Sequence, residues 1–252
     1  MPSRRLPNTI SSVTRTLTAA RDAYNQFPEN RLITAAHWAK LNSADPASLY
    51  SRFIKEAGDI PLAMANQGPL TDAFAKLLAR LTLHVSHFHQ VFDFGVERGV
   101  FPAASRAFYD RDLTAATLPP LSTAAEVMEA AAKITTGETA RSTSEAEAYI
   151  PMALPSAAQV TALHSDTVAA HAASETAKLN TDTQQGELAV LYPAAQALAV
   201  SLINTIEFNL AERTDLDAPG RRRIARAWGV VYINDDGTVE EETVTPEPAP
   251  TP

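Results

Sequence analysis

Three closely spaced histidines are the residues most suited to chemistry in this sequence. His84, His87 and His89 fall in a segment whose apolar residues recur every three or four positions, as in an amphipathic helix. On a helix, His84 and His87 lie one turn apart on the same face, where two imidazoles can ligate one transition-metal ion. The spacing therefore predicts a candidate metal site at His84 and His87.

Carboxylates do not complete that site in the manner of known helical di-iron proteins. Those proteins combine inward-facing Glu residues with Glu-x-x-His pairs, and this chain contains no Glu-x-x-His. Glu97 follows His84 by thirteen residues, and Glu207 interrupts a different apolar stripe. The alternative is that His84 and His87 are hydrogen-bonded side chains packed at a seam between helices.

A second cluster is basic and lies near the C-terminus. Four arginines, Arg221, Arg222, Arg223 and Arg226, fall within one short predicted helix. Such a cluster is able to contact phosphate or nucleic acid. No aromatic residue interleaves the arginines, and acidic residues begin nine positions after Arg226. A solvated helix that pairs with carboxylates elsewhere is the alternative, so nucleic-acid contact ranks third among the functions considered.

Other catalytic signatures are missing from the sequence. There is no Gly-x-Ser-x-Gly elbow, and the 9 glycines form neither a phosphate-binding loop nor a dinucleotide fingerprint. The absence of cysteine excludes disulfides, thiolate metal sites and cysteine nucleophiles. We therefore predict no catalytic residue and no cofactor.

Composition favours helices over sheets. Of the 252 residues, 45% are hydrophobic but only 7% are aromatic, and alanine supplies much of the apolar fraction. The net charge is −8, and the six acidic residues after Asn234 account for most of it, leaving about −2 on the rest. Because residues 1–234 are nearly neutral overall, they lack the excess of positive charge that is typical of proteins that bind nucleic acid in general.

The sequence also carries expectations about location. Its basic first residues are not followed by the apolar segment of a signal peptide, and we find no uninterrupted apolar run of membrane-spanning length. We expect a cytoplasmic protein that does not enter the membrane.

Four apolar stripes at helical spacing define the main helices. They cover residues 10–24, 74–96, the segment that opens at Thr123, and 188–210. Capping residues support three helix starts, at Thr9 (or Asn8), at Thr123 with Glu126 and at Ser156 with Gln159. Gly58, Pro61 and Gly68-Pro69 predict breaks or kinks before the second stripe, and Gly137 predicts the end of the third helix.

One short segment has the composition of a β-strand. Val230, Val231 and Tyr232 lead a β-branched and aromatic run that ends at Ile233. Its mate is predicted to be Tyr149–Leu154 or a strand of a neighbouring molecule, because an unpaired apolar strand edge is unfavourable. In the second case these residues, with the arginines that precede them, form an interaction surface.

Several stretches resemble a loosely related set of uncharacterised bacterial helical proteins. The stretches that carry the resemblance are 5–8, 85–88, 101–109, 137–141, 151–156 and 221–232. The resemblance implies one continuous fold outside the acidic tail, and it implies no activity and no catalytic residue.

Together these patterns predict an all-α protein with a minor β element. We expect an elongated four-helix bundle in a single domain over residues 1–234, with short accessory helices and a two-stranded β element. Residues 235–252, which are acidic and rich in proline, are expected to be disordered. The leading function is a structural or protein-interaction bundle, self-associating and without catalytic activity. Metal binding at His84 and His87 is the second function considered.

Overall fold

The computed structural model describes residues 3–114 and 117–239, and it is 72% helical. In chain order the elements are β1 (Ser3–Arg5), α1 (Ile10–Gln26), α2 (Ala35–Leu41), α3 (Leu49–Glu97), a 3₁₀ helix (Ala103–Tyr109), α4 (Ala124–Glu145), a 3₁₀ turn (Ala146–Ala148), α5 (Ala157–Ala211), α6 (Ala218–Ala227) and β2 (Val231–Ile233). The predicted helical class with a small two-stranded sheet is confirmed.

The chain divides into two compact units, each with its own core. Unit 1 contains Met1–Pro61 and Thr183–Pro252, and unit 2 contains Leu62–Asp182. The core of unit 1 is built from α1, α2, the start of α3, the second half of α5 and the segment 225–232. The core of unit 2 is built from the second half of α3, from α4 and from the start of α5.

In unit 1 the predicted stripe of α1 faces inward from Val13 onward, whereas Ile10 at its start is 44% exposed. Val13, Leu17 and Ala20 are fully buried. Thr9 caps the helix by accepting a hydrogen bond from the Ser12 backbone N–H, which confirms the predicted start. On α5, the stripe from Leu188 to Leu210 is buried in the same core.

In unit 2 the stripe of α3 forms the centre of the core. Phe88 and Phe92 are fully buried, and the Phe92 ring stacks on Phe101 with 4.9 Å between centroids. Thr123 and Glu126 form the predicted capping box at the start of α4. Ser156 and Gln159 likewise exchange side-chain hydrogen bonds with each other's backbone N–H at the start of α5.

The predicted breaks around Gly58–Pro61 and Gly68-Pro69 are wrong, because α3 is one continuous helix. The kink that was the alternative stays a prediction. A proline inside a helix removes one backbone hydrogen bond. The helix is nevertheless held on both sides, by Phe53 in the core of unit 1 and by Leu81 in the core of unit 2. Burial of these flanking faces outweighs the local preference to break.

The predicted end of the third helix at Gly137 is also wrong, since α4 continues to Glu145. Gly137 is buried, and a Cβ atom at this position would overlap the backbone oxygen of Phe108 and lie 2.8 Å from the Tyr109 ring. The glycine therefore allows a close approach of the 3₁₀ helix to α4.

The strand prediction is confirmed for β2 but its predicted mate is wrong. β2 pairs antiparallel with β1, with Arg5 opposite Val231 and Ser3 opposite Ile233. Residues 149–154 form no strand, and Met152 instead packs into the core of unit 2. A strand pairs with whatever backbone tertiary packing brings alongside, and three residues of β1 carry too little periodic pattern to be found in advance.

A single four-helix bundle is not confirmed. The stripes 10–24 and 188–210 pack in the core of unit 1, whereas 74–96 and the helix after Thr123 pack in the core of unit 2. Among the described residues, α5 is the one helix whose length and apolar composition would also suit a membrane span, as is true of many core helices.

The acidic segment starts with a turn. The Asn234 N–H donates to the Thr238 carbonyl at 2.8 Å, and Val239 forms a bridge with Ile233. Residues 240–252, the rest of the segment that was predicted to be disordered, lie outside the described residues.

Candidate functional site

His84 and His87 line one shallow groove on unit 2. The groove has a volume of about 280 Å³, and Val91, Leu154, Pro155 and Gln159 line the rest of it. His84 is half-buried, and its Nδ1 lies 2.8 Å from the Arg80 carbonyl oxygen. A carbonyl oxygen only accepts, so Nδ1 is the donor in this contact, and in the neutral imidazole Nε2 then keeps its lone pair.

The histidines meet no further ligand. Within residues 3–114 and 117–239, no group of three or more His, Asp or Glu side chains is arranged to hold a metal ion. His87 is exposed, and His89 is buried on another face of α3. The groove thus brings His84 and His87 together, and metal binding there stays a prediction.

The residues predicted to form a docking strand belong mainly to the core of unit 1. Val230 and Tyr232 are buried, and the Tyr232 hydroxyl donates to Glu207 at 3.1 Å. Val231 is half-buried in the pairing with Arg5. Burial within the chain leaves Val230 and Tyr232 little exposed surface, and their interaction role stays a prediction. Both residues pack against the helices of the unit 1 core.

The arginine cluster lies on α6, whose N-terminus is capped by Asp217. Arg223 is exposed, whereas Arg221, Arg222 and Arg226 are half-buried. The Arg221 guanidinium donates to the Ala211 carbonyl at 3.3 Å, close to the end of α5. Stabilisation of a helix C-terminus by a cation is a structural role, and phosphate contact by these arginines stays a prediction.

An apolar stripe surrounds the histidine groove, on the face of α3 opposite the core. Leu83 is 52% exposed, Val91 41% and Phe94 54%, and Leu154 beside them is 70% exposed. The spacing of these α3 residues places them on one helix face together with His87. We use the name α3 stripe for Leu83, His87, Val91 and Phe94 of α3 together with the neighbouring Leu154.

The most elaborate polar arrangement of unit 2 is buried and was not predicted. Arg141 is fully buried and donates to Glu138 at 3.0 Å and to Glu145 at 3.1 Å. Tyr149 donates to Glu138 at 2.8 Å, and the Tyr109 hydroxyl also donates to this carboxylate. Burial by itself would raise the pKa of Glu138, but the hydrogen bonds from Arg141 and the tyrosines hold it below its ordinary value.

Burial and the hydrogen bond to Glu138 raise the pKa of the Tyr109 hydroxyl far above its ordinary value. The tyrosine therefore stays protonated and the carboxylate stays ionised, so the cluster exchanges no proton near neutral pH. Its arrangement fits a structural role, tying the 3₁₀ helix and residues 149–150 to α4.

A second buried cluster lies nearby on the same unit. Asp93 accepts hydrogen bonds from Arg106 Nε at 3.0 Å and from Arg111 at 3.0 and 2.7 Å. Burial would raise the pKa of Asp93, but the two guanidinium groups hold it below its ordinary value. His89, one turn before Asp93, is 1% exposed, and its Nδ1 is buried without a hydrogen-bond partner among the described residues.

A signal for the Glu138–Arg141 cluster is present in the sequence. On α4, Glu138 and Arg141 continue the three- and four-residue spacing of Val127, Ala131 and Ile134. Charged residues at core positions of an apolar stripe indicate buried ion pairs. The partners on the 3₁₀ helix have no such pattern.

Comparison of the chain with protein-family models, with curated proteins and with solved structures finds no match. The class of protein therefore follows from the fold alone: a mostly helical chain with two cores and an exposed apolar stripe.

Proposed function

We propose that this chain is a structural, self-associating helical-bundle protein, and that two copies pair through the α3 stripe. The observation that carries the proposal is the exposure of four large apolar side chains on one surface of unit 2, with Leu154 at 70% and Phe94 at 54%. Clustered exposed apolar residues mark interaction surfaces, whereas single ones are ordinary.

A second copy of the chain suits this stripe because the stripe is self-complementary. Leu83 lies four residues before His87, and Phe94 lies four residues after Gln90. In an antiparallel pair of α3 helices centred between His87 and Gln90, Leu83 of one copy lies beside Phe94 of the other. The contact then occurs twice about a two-fold axis, as in most homodimers.

The expected association is modest in strength. Covering a half-exposed Leu, Val or Phe side chain contributes about 1 kcal/mol, and the two-fold axis doubles the number of such side chains. The loss of translational and rotational freedom on association costs several kcal/mol. We therefore expect a dimer that dissociates on dilution.

The test is the molar mass of the full chain, measured by sedimentation equilibrium over a range of concentrations. Phe94→Lys introduces a charge into the stripe beside Leu83 of the other copy and is expected to give monomer at every concentration. Phe208→Lys is the matched control, because Phe208 is 64% exposed and belongs to unit 1. This control should leave the dimer intact.

Circular dichroism of both variants verifies that they are folded. A monomeric wild-type chain, or equal effects of Phe94→Lys and Phe208→Lys, would contradict the proposal.

A further inference from the structure

A cavity in unit 1 lies between α6, the end of α5 and the segment that follows α1. Its volume is about 290 Å³. The buried residues Leu32, Leu210 and Trp228 belong to its inner wall, and Phe27 and Ile224, which are half-buried, line it as well. The wall that a ligand contacts is therefore mainly apolar.

The size of this cavity suits a small molecule. A buried apolar cavity of roughly 150 Å³ holds one benzene molecule. The cavity in unit 1, at about 290 Å³, has about twice that volume and room for about 10–12 non-hydrogen atoms. Asn30, Arg223 and Ala227 are exposed and form its rim. A bound molecule therefore places its apolar part on the inner wall and its polar end at the rim.

The charged groups that line the cavity are positive. They are Arg213 and Arg223, and none of the described residues that line it is Asp or Glu. Asp215 neutralises Arg213 through two hydrogen bonds of 2.7 Å each. The side chain of Arg223 is exposed, and in the described part of the chain it has no hydrogen-bond or ion-pair partner. One accessible guanidinium group at the rim thus lacks a counter-ion.

We propose that this cavity binds a small hydrophobic carboxylate, whose apolar body packs on Phe27 and Ile224 and whose carboxylate pairs with Arg223. A guanidinium group presents two parallel N–H donors that match the two oxygens of a carboxylate. The apolar wall and the free cation together select this class, because burial of the body and pairing of the charge each contribute to binding. The cavity belongs to unit 1 and the α3 stripe to unit 2, so this proposal is independent of self-association.

The first test follows the indole N–H resonances of the full chain by NMR at neutral pH. Trp228 lines the cavity, whereas Trp38 stacks on Tyr24 and does not line it. Sodium octanoate and sodium phenylpropionate, added separately, are expected to shift the Trp228 resonance saturably and to leave the Trp38 resonance in place. The variant Trp38→Phe assigns the two resonances. A Trp228 resonance that responds to neither acid overturns the proposal.

Two reference compounds separate the contributions of body and charge. Acetate lacks the apolar body and octanol lacks the charge, so each is expected to bind at least about tenfold more weakly than octanoate. Equal affinities for octanol and octanoate overturn the pairing with Arg223. Equal affinities for acetate and octanoate overturn the role of the apolar wall.

The second test uses calorimetric titration of variants with the acid that binds more tightly. Arg223→Gln is expected to weaken binding about tenfold, because a charge-assisted hydrogen bond is lost. Arg52→Gln is the matched control, since Arg52 is also exposed in unit 1 without a side-chain partner in the described part of the chain, and it does not line the cavity. Circular dichroism verifies that both variants are folded. Equal affinities for the two variants overturn the assignment of Arg223.

Discussion

At the residue scale, unit 2 holds its buried ionisable side chains in fixed protonation states. The Arg141–Glu138 pair stays ionised because each charge has its counter-ion and several hydrogen bonds. Tyr109 stays protonated, and His89 stays neutral because burial and the neighbouring Arg111 lower its pKa more than Asp93 raises it. Of these groups, His89 is the one that gains a proton when the chain unfolds in mild acid.

We expect His89 to make the chain less stable in mild acid. The pKa of His89 is lowered from 6.5 to about 4, first by burial and then by Arg111, while Asp93 acts in the opposite direction. Between these two values the unfolded chain binds a proton that the folded chain does not, so stability falls as the pH falls. The full effect is about 3 kcal/mol, complete only below the folded pKa.

The measurement is urea unfolding of the wild type and of His89→Gln at a series of pH values between about 7 and 4. In His89→Gln the free energy of unfolding should decrease less than in the wild type as the pH falls. In His171→Gln, the control on α5, it should change with pH as it does in the wild type. Parallel slopes for all three proteins would show that His89 is protonated in the folded state.

At the element scale, packing between helices decides where helices continue. Gly137 has the residue type of a helix end, yet α4 passes through it because the 3₁₀ helix approaches this position closely. Gly186 on α5 has no atom within 4 Å of the place where a Cβ would stand. Gly137 is therefore required by a close contact, whereas Gly186 is only tolerated in its helix.

Gly137→Ala is expected to destabilise the chain by about 1–3 kcal/mol, because the added methyl group overlaps the Phe108 carbonyl. Gly186→Ala should instead stabilise it by about 0.5–1 kcal/mol, since alanine favours the exposed helix. Chemical denaturation of the two variants beside the wild type measures both effects. A neutral Gly137→Ala would mean that the 3₁₀ helix moves aside at little cost.

At the scale of the whole molecule, each unit has its own core and the exposed apolar stripe lies on unit 2. Nothing in the charge distribution opposes pairing of two copies, because the body of the chain is nearly neutral and the acidic residues are concentrated after Asn234.

We expect truncation after Val239 to leave the melting temperature and the helix content almost unchanged. Residues 240–252 contain few apolar side chains to bury. Truncation after Asn234 is the comparison, because it also removes the turn and the bridge between Ile233 and Val239. This longer truncation should lower the melting temperature slightly. A large decrease in melting temperature on truncation after Val239 would indicate that the glutamates of residues 240–252 bind elsewhere on the chain, with the arginines of α6 as candidates.

The local features of this fold could be predicted from the sequence. The apolar stripes, the caps at Thr9, Thr123 and Ser156, and the strand at Val231–Ile233 depend on residues at most one or two turns apart. Helix periodicity and capping are local interactions, so the sequence determines them directly. The pairing of His84 and His87 in one groove followed from helical spacing for the same reason.

Only the tertiary structure decided which elements meet. β1 rather than residues 149–154 pairs with β2, the four stripes divide between two cores, and α3 continues through Pro61 and Pro69. The buried cluster around Asp93 needs Arg106 and Arg111 brought to α3 from a later part of the chain. These outcomes depend on contacts between residues far apart in sequence. The free energies of such contacts compete with local conformational preferences and here outweigh them. No local sequence pattern shows which of the two is larger.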